Sequence, residues 1–238
     1  MNPEAISGIK KASKAAAQVR EGLLRQISPG LSSSNLDCTA ADLISLHNAG
    51  SAIKGFNGFK GNISICTNQL VTDSFDPQLI LKEGDLVKID ISLTVSGWTG
   101  CCAAAIYLGN SPEIHRLVEV NRSAVLETCD NLSPGFPVND IDSVLNLSKE
   151  EFHQLNVPCS GRLKNPGKQE AEYILNKEAA RGKRLKAGDI LTVEACFSLE
   201  EGHLQYSKNG TLFTDSLNTY HRETVLITGS GAEILTRN

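Results

Sequence analysis

An internal repeat is the feature of this 238-residue sequence that most constrains its fold. Residues Leu81–Asp90 read LKEGDLVKID, and residues Leu185–Glu194, 104 positions later, read LKAGDILTVE. Each copy is a turn that leads into a strand, and each places a carboxylate five residues after the aspartate of the turn. Such self-similarity indicates two related structural units. We therefore predict two α/β halves related by a pseudo-twofold axis, with Asp90 and Glu194 projecting towards a shared cleft.

The periodicity of apolar residues predicts the elements that surround this repeat. Spacings of three and four residues predict a first helix over Pro3–Gln26, closed by Ser28–Gly30. Ser34 is a suitable N-cap for a second helix over Asn35–Asn48. The further predicted elements are a strand over Gly61–Val71, paired strands over Val87–Val95 and Cys101–Leu108, a helix over Pro112–Asn131 and a shorter helix within Val138–Gln154. The chain is thus predicted to be a single α+β domain over residues 1–238, with an N-terminal half of about 1–110 and a C-terminal half of about 111–238.

Composition excludes several classes of function. The net charge is -4 with no long run of like charge, so we expect neither nucleic acid nor an anionic membrane as a partner. The apolar stretches are far shorter than the roughly 20 residues that span a bilayer. Residues 1–26 carry charges throughout and lack the apolar core of a signal peptide. We therefore expect a cytoplasmic protein.

The cysteines favour reduced thiols over disulfides. There are seven of them, an odd number, and no Cys-x-x-Cys pair occurs. Disulfide frameworks belong to small secreted domains, so this pattern in a larger unexported chain predicts free thiols.

The sequence resembles the methionine aminopeptidase and creatinase-like enzymes. The stretches that carry the resemblance are Gly84–Asp90, Ser96–Gly100, Leu185–Glu194, Glu223–Thr228 and Gly231–Thr236. The resemblance covers nearly the whole chain, and it implies the pita-bread fold, in which two α/β halves surround a curved antiparallel sheet. It also implies two metal ions held by two aspartates, one histidine and two glutamates, which activate a bridging water in the family.

The family's ligands transfer only in part to this sequence. Asp90 and Glu194 match the first aspartate and the first glutamate. Cys101 stands where the second aspartate is expected, and Arg222 stands where the last glutamate is expected. The ligand histidine is expected near Ser160, in a stretch that contains no histidine.

These replacements predict a pseudoenzyme. A divalent ion beside Arg222 would lose a carboxylate and gain repulsion, so we expect no metal cofactor and no metalloaminopeptidase activity. The former metal site, formed by Asp90, Cys101, Ser160, Glu194 and Arg222, would then bind a peptide, a partner protein or a small metabolite. Within it, we expect the Arg222 guanidinium to contact Asp90, Glu194 or both.

The sequence is also compatible with a different chemistry in the same cleft. The main alternative is a metal-independent hydrolase, lyase or isomerase that uses acid/base side chains. Its candidate residues are Asp73, Asp90, Glu194, His221 and Glu223. Asp73 stands where the family has a substrate-contacting histidine. Strand alternation favours His221 and Glu223 pointing away from the cleft.

The thiols supply two further alternatives. Cys101 and Cys196 could form a zinc site with Asp90, because thiolates and carboxylates both bind zinc. Cys101 could instead be a nucleophile with His221 as its base.

Overall fold

The computed structural model describes residues 3–146, 152–155, 182–207 and 211–237. Its helices are α1 (Pro3–Leu24), α2 (Ser33–Leu46), α3 (Pro112–Asn131) and α4 (Ile141–Asn146), with 3-10 turns at Phe56–Gly58 and Val138–Asp140. Its strands are β1 (Gly50–Ser51), β2 (Ser64–Thr67), β3 (Leu70–Thr72), β4 (Leu86–Val95), β5 (Trp98–Tyr107), β6 (His153–Leu155), β7 (Ile190–Ser198), β8 (Leu204–Tyr206), β9 (Leu212–Thr214), β10 (Asn218–Ile227) and β11 (Ala232–Ile234). The α+β class is confirmed. Within these ranges, no helix is both long and apolar enough to cross a membrane.

Most strands belong to one antiparallel sheet with the order β1-β4-β5-β10-β7-β6. Strand β2 pairs with β4 and β11 pairs with β10, while β3, β9 and β8 form a separate small sheet. The long strands β4 and β5 come from the N-terminal half, and β7 and β10 come from the C-terminal half. The two halves therefore meet where β5 pairs with β10.

Helices cover one face of the main sheet, which we call the helix face. Helix α1 packs on β4 and β5, and α3 packs on β7 and β10. Ile89 and Ile91 of β4 point into this core, as do Val193 of β7 and Val225 of β10. The opposite face carries Asp90 and the residues in phase with it, and we call it the cleft face.

Equivalent hydrogen bonds in the two halves confirm the repeat. The turn glycines, Gly84 and Gly188, both have positive φ, at 88° and 90°. Asp85 and Asp189, which follow them, each accept a hydrogen bond at 2.8 Å from the backbone N–H three residues earlier. Each turn is thus closed by the same side-chain contact, as the sequence repeat predicts.

A second repeat supports these turns, and it was overlooked in the sequence. Residues Ser28–Leu31 read SPGL and residues Ser133–Phe136 read SPGF, and they follow α1 and α3 respectively. In each copy the glycine N–H donates at 2.8 Å to the carbonyl oxygen of the leucine that begins the turn, Leu81 or Leu185. The repeated unit therefore extends from helix to strand.

Two predicted boundaries were wrong. Helix α2 is capped by Ser32 rather than Ser34, because Ser32 has the extended backbone of an N-cap and its side chain accepts from the Asn35 N–H. The predicted strand over Gly61–Val71 is two strands, β2 and β3, because Asn68 between them adopts a left-handed conformation with φ of 53°.

Candidate functional site

Four adjacent strands each contribute one residue to a row across the cleft face. In the strand register, Asp90 lies opposite Ala103, Ala103 opposite Arg222, and Arg222 opposite Glu194. Ala103 has only a methyl side chain, so Asp90 and Arg222 can meet above it. The register thus brings together three of the predicted site residues.

Arg222 lies between the two carboxylates. Its Nη2 donates to Asp90 Oδ1, and to Ser92 Oγ at 3.2 Å. Its Nη1 is 4.0 Å from Glu194 Oε2. The side chains of Arg222, Asp90 and Glu194 are only 10%, 13% and 15% exposed, so these charges interact with little screening by water.

Two hydroxyl groups complete the surroundings of the carboxylates. Thr72 Oγ1 donates to Asp90 Oδ2 at 3.1 Å, and Tyr220 Oη donates to Glu194 Oε2 at 2.5 Å. Arg222 Nε is buried and has no hydrogen-bond partner within the described part of the chain. Asp90 and Glu194 thus each have hydrogen-bond donors, whereas one nitrogen of the guanidinium, Nε, has no acceptor among the described residues.

The electrostatics of the row keep the guanidinium charged. Burial lowers the pKa of Arg222, but Asp90, together with the other acidic groups around it, raises this pKa well above its ordinary value. Burial raises the pKa of Asp90, against the opposing effects of Arg222 and Thr72. Burial and the neighbouring Glu194 also raise the pKa of Tyr220 well above its usual range, so Tyr220 is a neutral hydrogen-bond donor.

Cys101 and Cys196 lie on the cleft face but do not form a metal site. Cys101 Sγ contacts Thr224 Oγ1 at 3.6 Å, and Cys196 Sγ donates to Asn218 Oδ1 at 3.8 Å. Burial raises the pKa of both thiols, to about 12 for Cys196, whereas nucleophilic attack requires a thiolate.

The described residues thus support neither the zinc hypothesis nor the cysteine-nucleophile hypothesis. Among the described residues, no group of three His, Cys, Asp or Glu side chains could hold a metal ion, which excludes the set of Asp90, Cys101 and Cys196. The proposed base for Cys101, His221, lies on the helix face. The six described cysteines are free, as the sequence predicts.

His221 and Glu223 face the helices, as strand alternation favours. The His221 imidazole and Glu223 Oε1 are hydrogen bonded at 2.9 Å. Glu223 also accepts from Arg20 of α1 at 2.8 Å and from the Thr236 hydroxyl. Two of the five acid/base candidates are thus absent from the cleft face.

The remaining predicted site residues have different outcomes. Asp73 is exposed directly after β3, with a left-handed backbone at φ 60°. Its neighbour Thr72 contacts Asp90, which places Asp73 at the edge of the row. Ser160 lies outside the described residues.

Sequence reasoning missed Tyr220 and Lys88, although a signal for both was present. Each lies two positions before a predicted site residue on the same strand, and so on the same face. Lys88 Nζ donates to the Asn68 carbonyl oxygen at 2.6 Å and to the Asn218 carbonyl oxygen at 2.9 Å. Burial lowers the pKa of Lys88 to about 8.

Comparison with known proteins identifies the family. Residues 7–228 match the family model described as metallopeptidase family M24. The chain belongs to this family. It is 27% identical over 245 residues to the methionine aminopeptidase of Helicobacter pylori, covering 99% of this chain and 97% of that protein. It is also 27% identical over 241 residues to methionine aminopeptidase 1 of Bacillus subtilis, with the same coverage of 99% and 97%.

Solved structures of M24-like proteins confirm the pita-bread fold. The methionine aminopeptidase of Thermotoga maritima superposes with a TM-score of 0.86 at 23% identity, covering 100% of this chain and 98% of that one. The prolidase of Pyrococcus furiosus gives a TM-score of 0.70 at 17% identity, covering 100% of this chain and 65% of that one.

Proposed function

We propose that this M24 chain is a methionine aminopeptidase-like pseudoenzyme. It keeps the cleft face of the fold, lacks a two-metal centre, and uses the cleft to bind a peptide, a partner protein or a small metabolite. The observation that carries this proposal is the Arg222 guanidinium, which lies between Asp90 and Glu194.

A pair of divalent ions does not fit the residues that surround Arg222. Two unit positive charges 4 Å apart repel by about 4 kcal/mol at an effective dielectric of about 20, and a divalent ion doubles that figure. Cys101 supplies a buried, protonated thiol at a position where the family has a carboxylate. Only Asp90 and Glu194 of the described family ligands are retained, and both face a cation that is already present.

The guanidinium takes over the electrostatic part of the metal's role. Two carboxylates that converge without a cation repel each other, or one of them takes up a proton. Arg222 relieves this repulsion because its two terminal nitrogens reach both acids, one by a hydrogen bond and the other as an ion pair at 4.0 Å. The carboxylates therefore do not need a metal to balance their charge, and without a metal the site would lack the group that activates water for peptide hydrolysis in the family.

Acid/base catalysis in the cleft is the less favoured function. His221 and Glu223 lie on the helix face, Asp90 is bound to Arg222, and Glu194 is bound to Tyr220. A general acid or base needs a proton that it can exchange with substrate. Asp73 is the one exposed carboxylate of the candidate set, and it lies at the edge of the row rather than within it.

The proposal is tested with a methionyl peptide such as Met-Ala-Ser in the presence of Mn²⁺ or Co²⁺. We expect no methionine release above the buffer blank, measured by mass spectrometry over many enzyme equivalents. Isothermal titration calorimetry with the same peptide then asks whether it binds, with Arg222→Ala as the site variant and Arg25→Ala as the exposed control. Catalytic release that is lost in Asp90→Asn would contradict the proposal. Absence of peptide binding would leave a partner protein or a metabolite as the ligand.

A further inference from the structure

A pocket of about 530 Å³ lies on the helix face, between α1 and α3. Its floor belongs to β10, where His221 and Glu223 line it. Tyr220 is also part of the lining, but its hydroxyl bonds to Glu194 on the cleft face. Arg222 is not among the lining residues. The pocket is thus separate from the site proposed above, and an inference about it goes beyond that function.

The walls of this helix-face pocket are apolar. Leu24 of α1, Ala104 of β5, and Val118 and Leu126 of α3 line it. Sites for small organic molecules have this character, with volumes of roughly 300 to 1,000 Å³ and a few polar groups that orient the ligand. The volume and the walls therefore fit a small ligand with an apolar body.

The charged residues of the lining are already paired. Each has a partner of opposite charge within 3.6 Å, in the pairs Arg20–Glu223, Arg20–Glu21, Arg122–Glu119 and Arg237–Asp130. A charged ligand would compete with these partners, whereas an uncharged ligand leaves every pair intact. The pairing therefore favours an uncharged occupant.

The hydrogen bond between His221 and Glu223 fixes the position of the imidazole proton. The distance from His221 Nε2 to Glu223 Oε1 is 2.9 Å. Burial raises the pKa of Glu223, but His221 and Arg20 lower it further, and the net direction is below its ordinary value, so Glu223 is an anion. Because a carboxylate can only accept a hydrogen bond, Nε2 of His221 is the donor and carries the proton.

The second ring nitrogen of His221, Nδ1, is therefore an acceptor. Burial lowers the pKa of His221 from the ordinary 6.5, although Glu223 opposes this effect, so the imidazole is neutral in mildly alkaline solution. The side chain is only 6% exposed, and Nδ1 has no hydrogen-bond donor within the described part of the chain. Buried polar atoms are nearly always paired in folded proteins, so an unpaired acceptor at the floor of a pocket points to a donor in the occupant.

We propose that the helix-face pocket binds an uncharged organic molecule that has an apolar body and one N–H or O–H donor. The donor bonds to Nδ1 of His221, and the body lies between α1 and α3. Glu223 is a positioning residue, because its hydrogen bond to Nε2 fixes the ring and the tautomer that offers the acceptor.

The probe for this test is indole, measured by isothermal titration calorimetry on the full chain at about pH 8, where the imidazole is neutral. Benzofuran is the matched comparison, since it has nearly the same shape but an oxygen atom in place of the N–H group. We expect saturable binding of indole at one site, and binding of benzofuran weaker by about tenfold because it leaves Nδ1 without a donor. Indole-3-acetate, which adds a negative charge, should bind no more tightly than indole. Absence of saturable indole binding at millimolar concentration, equal affinities for indole and benzofuran, or tighter binding of indole-3-acetate would each overturn the proposal.

His221→Phe removes the acceptor and keeps an aromatic ring. In this variant indole and benzofuran should bind with equal affinity, while the exposed control His203→Phe, outside the pocket, should keep the wild-type ratio. If His221→Phe does not fold, nitrogen NMR of the wild type decides, in protein labelled at its histidine rings. An unprotonated Nδ1 resonance should shift with indole and stay in place with benzofuran. A wild-type affinity ratio in folded His221→Phe, or a spectrum in which no histidine resonance responds to indole, would contradict the assignment of His221 as the acceptor.

Discussion

Arg222 and Asp90 form a side-chain ion pair that joins the two halves of the molecule across 132 residues of sequence. Asp90 belongs to β4 of the N-terminal half, Arg222 belongs to β10 of the C-terminal half, and Ala103 lies between them in the register. The pair is largely buried. It therefore contributes both to the chemistry of the cleft and to the association of the halves.

Removing Arg222 should destabilise the protein strongly. Arg222→Ala leaves Asp90 and Glu194 buried without a cation, and breaking a buried pair in this way costs about 3 to 5 kcal/mol. The free energy of unfolding, measured by urea denaturation, should fall by this amount, while the exposed control Arg25→Ala should change it little.

A paired replacement distinguishes lost packing from uncompensated charge. Asp90→Leu combined with Arg222→Met removes both charges, so it should cost less than Arg222→Ala alone. An Arg222→Ala variant that unfolds like the wild type would show that the acids are neutralised by other means, and would revive acid/base catalysis in the cleft.

Because α1 packs closely on β5, position 100 should not tolerate a residue larger than glycine. A Cβ added there would be 2.2 Å from the backbone nitrogen of Ser13, and the backbone of a packed helix cannot move aside without loss. Gly100→Ala should therefore lower the free energy of unfolding by about 1 to 3 kcal/mol or more. Gly229→Ala is the matched control, since its Cβ would meet nothing within 4 Å. Equal unfolding curves for the two variants would refute this packing.

His221 should make the stability fall as the pH falls. Burial lowers the pKa of His221 from the ordinary 6.5, despite the opposing effect of Glu223. Because the pKa of His221 is lower in the folded chain, the unfolded chain takes up a proton at a higher pH than the folded chain does. The stabilisation is therefore fully present above pH 6.5, and it is lost as the pH falls from 6.5 through the pKa of folded His221. Glu223, whose pKa is also lowered, adds a second loss that begins below 4.5.

His221→Gln isolates the first of these losses. Urea denaturation between about pH 5 and pH 8 should show a shallower decline for this variant than for the wild type, since glutamine does not titrate. At pH values below the range in which His221 titrates, the stability of the variant and of the wild type should fall with pH at the same rate. Parallel curves over the whole range would contradict a lowered pKa for His221.

Lys88 should titrate well below the ordinary pKa of a lysine side chain. Its ammonium group is fully buried and donates to Asn68 and Asn218, and burial lowers its pKa to about 8. NMR of protein labelled at the lysine side chains should show one resonance with a midpoint near 8, and Lys88→Met should remove it. Between about pH 8 and the ordinary value of 10.5, this residue makes stability rise with pH, because only the unfolded chain still holds the proton. Absence of a Lys88 resonance with a midpoint below 10.5 would contradict the burial of this residue.

The repeat and the strand pattern predicted much of the fold and part of the site. The two LKxGD turns placed Asp90 and Glu194 at equivalent positions, and strand alternation assigned His221 and Glu223 to the other face. These predictions depend on local periodicity, which a single sequence contains.

Other features depend on register and on backbone conformation, which the sequence does not specify. Tyr220 bonds to Glu194 because β7 and β10 pair in one particular register. Strand phase places Lys88 on the same face as Asp90, but its burial depends on Asn68 and Asn218, which come from other parts of the sequence and cover it. The serines at 32 to 34 have the same capping chemistry, and only the backbone at Ser32 selects the cap.

Equilibrium dialysis against Mn²⁺ followed by elemental analysis tests most directly whether the Arg222 guanidinium stands in place of the family's metal ions. The wild-type chain should retain no stoichiometric Mn²⁺, while Arg222→Glu combined with Cys101→Asp should retain more, because it restores two carboxylates and removes the cation. Two Mn²⁺ ions per wild-type chain, bound with Asp90 and Glu194 intact and lost in Asp90→Asn, would contradict the account.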